Sequence, residues 1–142
     1  MQNTPAFRRL HATLTGTLLL VVGYAFYQYY VNRAPEDALY AQRCITQSIC
    51  LYVTTYRGGG ATVSEVYRYY LDGALPGDPM PHLKERTPFL VTDTGDARVS
   101  GYGDHINVTL TGRVYAFTNS DLFYADGVAV MPVISLTANG VR

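Results

Sequence analysis

The sequence predicts an α+β protein: an N-terminal transmembrane helix with an amphipathic helical continuation, a short second helix, and a small C-terminal antiparallel β-sheet. Three observations predict it. From Leu10 to Asn32 the chain has no Asp, Glu, Lys or Arg. From Ala38 to Tyr56 apolar residues recur every three to four positions, the period of a helix face. From Phe89 onward the period is two, the period of a strand. The implied division is a cytoplasmic N-terminus over 1–9, a transmembrane helix over 10–33, an extracytoplasmic helical segment over 34–72 and an antiparallel β domain over 73–142.

The uncharged run comes first. As a helix rising ~1.5 Å per residue it reaches the ~30 Å of a bilayer's hydrocarbon core. Leu14, Leu18, Leu19, Leu20, Val21 and Val22 make it apolar nearly all round. Tyr24, Phe26, Tyr27, Tyr29 and Tyr30 gather at its distal end, the composition of an interfacial aromatic belt. Arg8 and Arg9 precede it uncompensated, whereas Arg33 is followed at once by Glu36 and Asp37. The positive-inside rule then places the N-terminus in the cytoplasm and residues 34–142 outside. A cleaved signal peptide is the competing reading, with Gly23-Tyr24-Ala25 offering small residues before a cut. Apolar character continues through Phe26 and Tyr27 without a polar region, which favours a retained anchor. Both readings send most of the chain across the membrane.

Pro35-Glu36-Asp37 has the form of a helix start, with Pro in the first turn and acids beside the positive end of the dipole. Ala38, Ala41, Ile45, Ile49, Tyr52 and Tyr56 would line one face of a helix over 35–56, stopped by Arg57-Gly58-Gly59-Gly60. Thr62-Val63-Ser64-Glu65 matches a capping box. Val63, Val66, Tyr67, Tyr70 and Leu71 fit a short second helix, ended by Asp72-Gly73. Pro76, Pro79, Pro81 and Pro88 make 74–88 an extended connector.

Strands follow at Phe89–Thr92 and Ala97–Ser100, with Asp93-Thr94-Gly95-Asp96 turning between them. His105 to Phe117 alternates most clearly, and Gly112 inside it signals a bulge or bend. Val128 to Thr137 reads as a last strand, with Pro132 confining it to an edge or a bulge. Strands joined by short turns, without intervening helices, imply antiparallel pairing.

Composition narrows the function. Net charge is zero and pI about 6.8, without the basic excess of a nucleic-acid protein. The chain has 13 tyrosines and no tryptophan; tyrosine suits half-wet places such as membrane interfaces and subunit contacts. The two cysteines, Cys44 and Cys50, can pair in an oxidising compartment only if no helix runs through both, because residues six apart on a helix point to different sides. The helical reading of 35–56 therefore favours two buried thiols. His11, His82 and His105 are scattered, so no metal or other cofactor is expected.

No catalytic constellation appears. Ser64, Ser100, Ser120 and Ser135 lack a nucleophile-elbow context. Asp104-His105 reads as a turn followed by a sheet-surface histidine, Asp93 and Asp96 as turn residues, and Glu65 as a cap. Tyr67, Tyr69 and Tyr70 read as packing rather than ligand stacking. Asn107-Val108-Thr109 is a glycosylation sequon.

In layout, the basic N-terminus, apolar helix, helical segment ending at Gly60, Val/Thr-rich Ile106-Asn107-Val108-Thr109-Leu110-Thr111 and final Val128–Gly140 stretch resemble pilin-like subunits, in particular the tight-adherence (TadE-like) minor pilins. The resemblance covers most of the chain as a pattern, without a specific motif. It implies a structural subunit, not an enzyme, of a bacterial surface filament, secretion or conjugation apparatus, with the lipid bilayer and other pilin-like or secretion-apparatus subunits as partners. Filament-forming pilins carry Glu five residues after a processing Gly. Here Gly16 is followed by Thr17-Leu18-Leu19-Leu20-Val21, which points to a membrane-retained minor or accessory subunit. The alternative is a membrane-tethered extracytoplasmic binding domain with no filament role, or its secreted form after cleavage near Ala25. Surface Tyr and Thr, and the edge strand near Pro132, are the expected contact sites.

Overall fold

A computed structural model describes residues 5–31, 37–56 and 65–140, with side chains at 9–30 in the first of these. The expected features at Arg33, Pro35-Glu36, Arg57–Gly60 and Thr62–Ser64, and the side chain of Arg8, lie outside the described residues. The chain divides into two units, Met1–Ala34 and Pro35–Arg142.

The described residues of the first unit form one helix, α1 (Pro5–Val31). Its segment Arg9–Tyr30, 22 residues, is long and apolar enough to cross a membrane, and none of it is buried. Leu14, Leu18, Leu19, Leu20, Val21, Val22, Tyr24, Phe26 and Tyr27 are all exposed. Two of its threonine hydroxyls are satisfied locally. Thr13 Oγ1 donates to the Arg9 carbonyl at 3.0 Å and Thr17 Oγ1 to the Thr13 carbonyl at 2.9 Å, the back-bonding that lets threonine sit in an apolar helix.

The described residues of the second unit include ten strands: β1 (Asp37–Cys44), β2 (Cys50–Tyr56), β3 (Val66–Asp72), β4 (Leu90–Thr92), β5 (Arg98–Tyr102), β6 (His105–Thr111), β7 (Val114–Phe117), β8 (Phe123–Ala125), β9 (Val128–Val130) and β10 (Val133–Asn139). One turn of helix, α2 (Met80–Leu83), lies between β3 and β4. The strands form a five-stranded antiparallel sheet in the order β1-β2-β3-β4-β7, a three-stranded sheet in the order β10-β6-β5, and the β8-β9 hairpin.

Two expectations fail in the segment 34–72. The helix over 35–56 is instead the β1-β2 hairpin, and the short second helix is β3. The reason is burial on both faces. Leu51 and Val53 of β2 pack in the main core with Tyr69, Leu71, Leu90, Val99, Ile106 and Val108. Cys50 and Tyr52 point the other way, into a second cluster with Tyr70 and Leu83, bordered by Leu39, Leu75 and Met80. A strand buried on both faces loses its polar alternation. Its apolar residues then mimic a helical period, while the β-branched and aromatic run Tyr52-Val53-Thr54-Thr55-Tyr56 carries the strand preference.

The hairpin also overturns the expected pair of free thiols. Cys44 and Cys50 stand opposite each other in the β1-β2 register and form a disulfide.

The three-stranded sheet alternates as expected. Ile106, Val108 and Leu110 are buried, while His105, Asn107, Thr109 and Thr111 face out. The His105–Phe117 segment breaks at Gly112: β6 lies in one sheet and β7 in the other. Gly112 has φ of +155°, and a Cβ there would lie 2.4 Å from Asp93 Oδ1. That carboxylate accepts the Arg113 amide at 2.8 Å, so the corner is closed by an aspartate that only glycine leaves room for. Pro132 ends β9 and separates it from β10. The hairpin strand β8 was not expected from the sequence. Among the described residues all pairing is antiparallel except β10 with β6, which is parallel; these strands are not consecutive, so the short-turn argument does not govern them.

Candidate functional site

β1 and β5 are the edge strands of their respective sheets, and a cleft of about 430 Å³ opens between them. Its floor is apolar, from Leu51, Val53 and Val99. Its walls are Tyr40 and Arg43 of β1, Tyr69 of β3, and the Gly95-Asp96-Ala97 loop leading to Arg98.

Each wall residue is held by a specific contact. Tyr40 packs edge-on against Tyr67, ring centres 5.0 Å apart. Gly95 makes room for this pair: a Cβ there would fall 2.7 Å from Tyr67 Cε1 and 2.8 Å from Tyr40 Cε1. Arg43 Nη2 donates to the Val99 carbonyl at 3.1 Å, tying one sheet's edge to the other. The Tyr69 hydroxyl donates to the Thr94 carbonyl at 2.8 Å and accepts the Ala97 amide at 3.3 Å. Burial pushes the Tyr69 hydroxyl up to about 12. Tyr67 rises to about 12 mainly because its hydroxyl donates to the Glu65 carboxylate, with burial second.

This arrangement can bind. An exposed tyrosine edge, a guanidinium and a carboxylate over an apolar floor suit a side chain of a partner protein. The Tyr69 hydroxyl keeps its proton at neutral pH and spends it on the Thr94 carbonyl, so this ring serves the cleft as a fixed wall.

A second polar centre lies where the connector meets the sheet. Asp72 is almost fully buried at the end of β3. Its Oδ2 accepts from Arg86 at 2.5 Å and pairs with His82 Nε2 at 2.8 Å, and its Oδ1 accepts the Gly73 amide at 2.8 Å. Arg86 also reaches Asp121 at 2.6 Å and stacks over the Phe123 ring. Burial raises the Asp121 carboxyl, against the pull of Arg86. The Asp72 oxygens are already taken, so this network staples the connector and β8 to β3. A charge cluster so placed is a fastener. Nearby, the Tyr52 hydroxyl donates to the Gly73 carbonyl and accepts the Leu75 amide, each at 2.9 Å.

The other residues singled out in the sequence scatter. His105 sits on the outer face of the three-stranded sheet, paired with Tyr102 and Val133. Asn107 lies on the same exposed face between Ser100 and Ser135. Asp93 closes the Gly112 corner. Tyr67 and Tyr69 pack in the main core, Tyr70 in the second cluster. Among the described residues no group of three or more His, Cys, Asp or Glu could hold a metal. Sequence reasoning missed Arg43 and the Asp72-His82-Arg86-Asp121 network, because each joins residues far apart in the chain. The only signal was three charged or titratable residues inside or beside a proline-rich connector.

No protein-family model, curated protein or solved structure matches the chain.

Proposed function

We propose that the protein is a single-pass membrane-anchored structural or accessory subunit, not an enzyme. Its N-terminus lies in the cytoplasm and its β unit lies outside, making protein–protein contacts in a surface or secretion apparatus. The observation that carries this reading is α1. Its apolar surface is exposed on every side, a state stable in lipid or against other apolar helices and costly in water. The disulfide supports the orientation independently of charge, because such bonds persist in oxidising compartments. Retention of the anchor is supported by the continuity of α1 through Gly23-Tyr24-Ala25 to Val31.

Two forms of this role differ in how α1 is used. In a pilin-like subunit it packs into a filament core; in a tethered binding domain it only anchors. The second has the better support. The expected helix over 35–56, which a filament subunit would use to extend its packing, is replaced by a hairpin. The β1-β5 cleft offers a partner site near that hairpin. Shearing cells and probing the released filaments separates the two. Recovery of the chain with sheared filaments supports the pilin-like form. Its retention as a membrane protein, co-purifying with a partner that Tyr40→Ala and Arg43→Ala release, supports the tethered form.

A further inference from the structure

Sheet edges are exposed rows of backbone donors and acceptors, and natural proteins protect them. Of the four edges of the two larger sheets, three are protected among the described residues. β1 is broken by a register shift between Leu39 and Ala41 and carries Asp37 and Arg43. β5 carries Arg98, and its Val99 carbonyl is taken by Arg43. β7 is only four residues long. The fourth edge, β10, has none of these devices. It runs seven residues in unbroken register with β6 and contains no charge and no proline.

The free part of that edge can be located. Val133 donates to the Asp104 carbonyl and Asn139 accepts from Gly112. Both are bonds toward β6, so the odd-numbered residues of β10 point their backbone groups that way. The even-numbered ones point outward. Ile134 is used, since it donates to the Asn119 carbonyl, and Ser120 bridges Val133. Among the described residues nothing pairs with the amides and carbonyls of Leu136 and Ala138. The open span is therefore Ser135–Asn139, centred on Thr137.

We propose that this span is a self-association edge, and that its occupant is β10 of a second copy of the chain. An antiparallel two-fold at Thr137 sets Leu136 opposite Ala138 of the other copy, twice. The outward amides and carbonyls of Leu136 and Ala138, four of each over the two strands, are then all satisfied. Ser135 meets Asn139, and Thr137 meets itself, on the outer face. A two-fold sets any charge in this span against a like charge, and the span has none. The two three-stranded sheets become one six-stranded sheet. This dimer does not depend on whether α1 sits in a filament or only in lipid.

Cysteine cross-linking of the full chain in detergent tests it. Thr137 becomes a non-hydrogen-bonded pair across the two-fold, at a Cα separation of ~4.5 Å, within disulfide reach. Thr137→Cys is expected to give a covalent dimer under mild oxidation. Thr109→Cys, on β6 of the same outer face, is expected to stay monomeric. Equal cross-linking of the two, or none at Thr137→Cys, overturns the proposal. Thr137→Lys provides a second reading. Its side chain is exposed, so the melting temperature should hold while dimer dissociation, followed by analytical ultracentrifugation, strengthens several-fold. A wild-type chain that stays monomeric at all concentrations, or a dimer indifferent to Thr137→Lys, also overturns it.

Discussion

The five-stranded sheet is covered on both faces around β2 and β3, by the three-stranded sheet on one side and by the α2 connector on the other. The three-stranded sheet is covered on one face only, and its outer face carries Tyr102, His105 and Val133, then Ser100, Asn107 and Ser135, then Arg98, Thr109 and Thr137. The difference separates two jobs. The larger sheet carries the fastening network and shares the main core with Val99, Ile106, Val108 and Ile134 of the smaller sheet. The smaller one also presents an outer face and an open edge, so substitutions in the core and network should cost stability and substitutions on that face and edge should cost contacts.

The largest expected effect is at the fastening network. Arg86→Met leaves Asp72 and Asp121 buried without their common counter-charge and should cost about 3–5 kcal/mol in denaturant unfolding. A cost under about 1 kcal/mol would mean that the connector is not held to β3 by this network. Next is the hairpin of the larger sheet. Replacing both Cys44 and Cys50 by alanine removes a short-loop cross-link and should cost about 2 kcal/mol, read by thermal melts with and without reductant.

A smaller effect should appear with pH. The Tyr69 hydroxyl is raised from 10 to about 12. Between those values the unfolded chain gives up this proton while the folded chain keeps it. Stability is thus fully present below pH 10 and is lost as pH rises through the window. Tyr69→Phe should flatten that part of the alkaline profile, and at pH 7 should cost about 1 kcal/mol for the lost hydroxyl bonds. An unchanged alkaline slope would show that Tyr69 titrates as freely as an exposed tyrosine. The smallest effect belongs to the outer face of the smaller sheet, where Thr109→Ala should change stability by no more than about 0.5 kcal/mol. A larger loss there would erase the contrast between the sheets.

The same contrast explains what was legible in the sequence. Ile106, Val108 and Leu110 alternate with polar neighbours because one face of β6 meets water, and that strand was read correctly up to the corner at Gly112. β2 meets water on neither face, so Leu51, Tyr52 and Val53 gave no alternation, and the wider spacing of apolar residues suggested a helix. The preference for free thiols over a disulfide followed from the same error, since Cys44 and Cys50 become neighbours only when the chain folds back. α1 was legible because an uncharged run needs no tertiary information. The cleft was not, because Arg43 and Val99 are brought together across 56 positions. The lone parallel pairing of β10 was hidden for a similar reason, since its partner β6 is not its neighbour in the chain.

The central claim is an anchored β unit on the outer side of a membrane. Protease protection in sealed right-side-out vesicles tests it most directly, with the chain followed at both ends after a carbonate wash. The account predicts a carbonate-resistant chain that retains residues 10–33, whose β unit is accessible to external protease only after reduction or prolonged digestion, while the N-terminal residues stay protected until the vesicles are lysed. A soluble species beginning at Phe26, or a β unit protected until lysis, would contradict it.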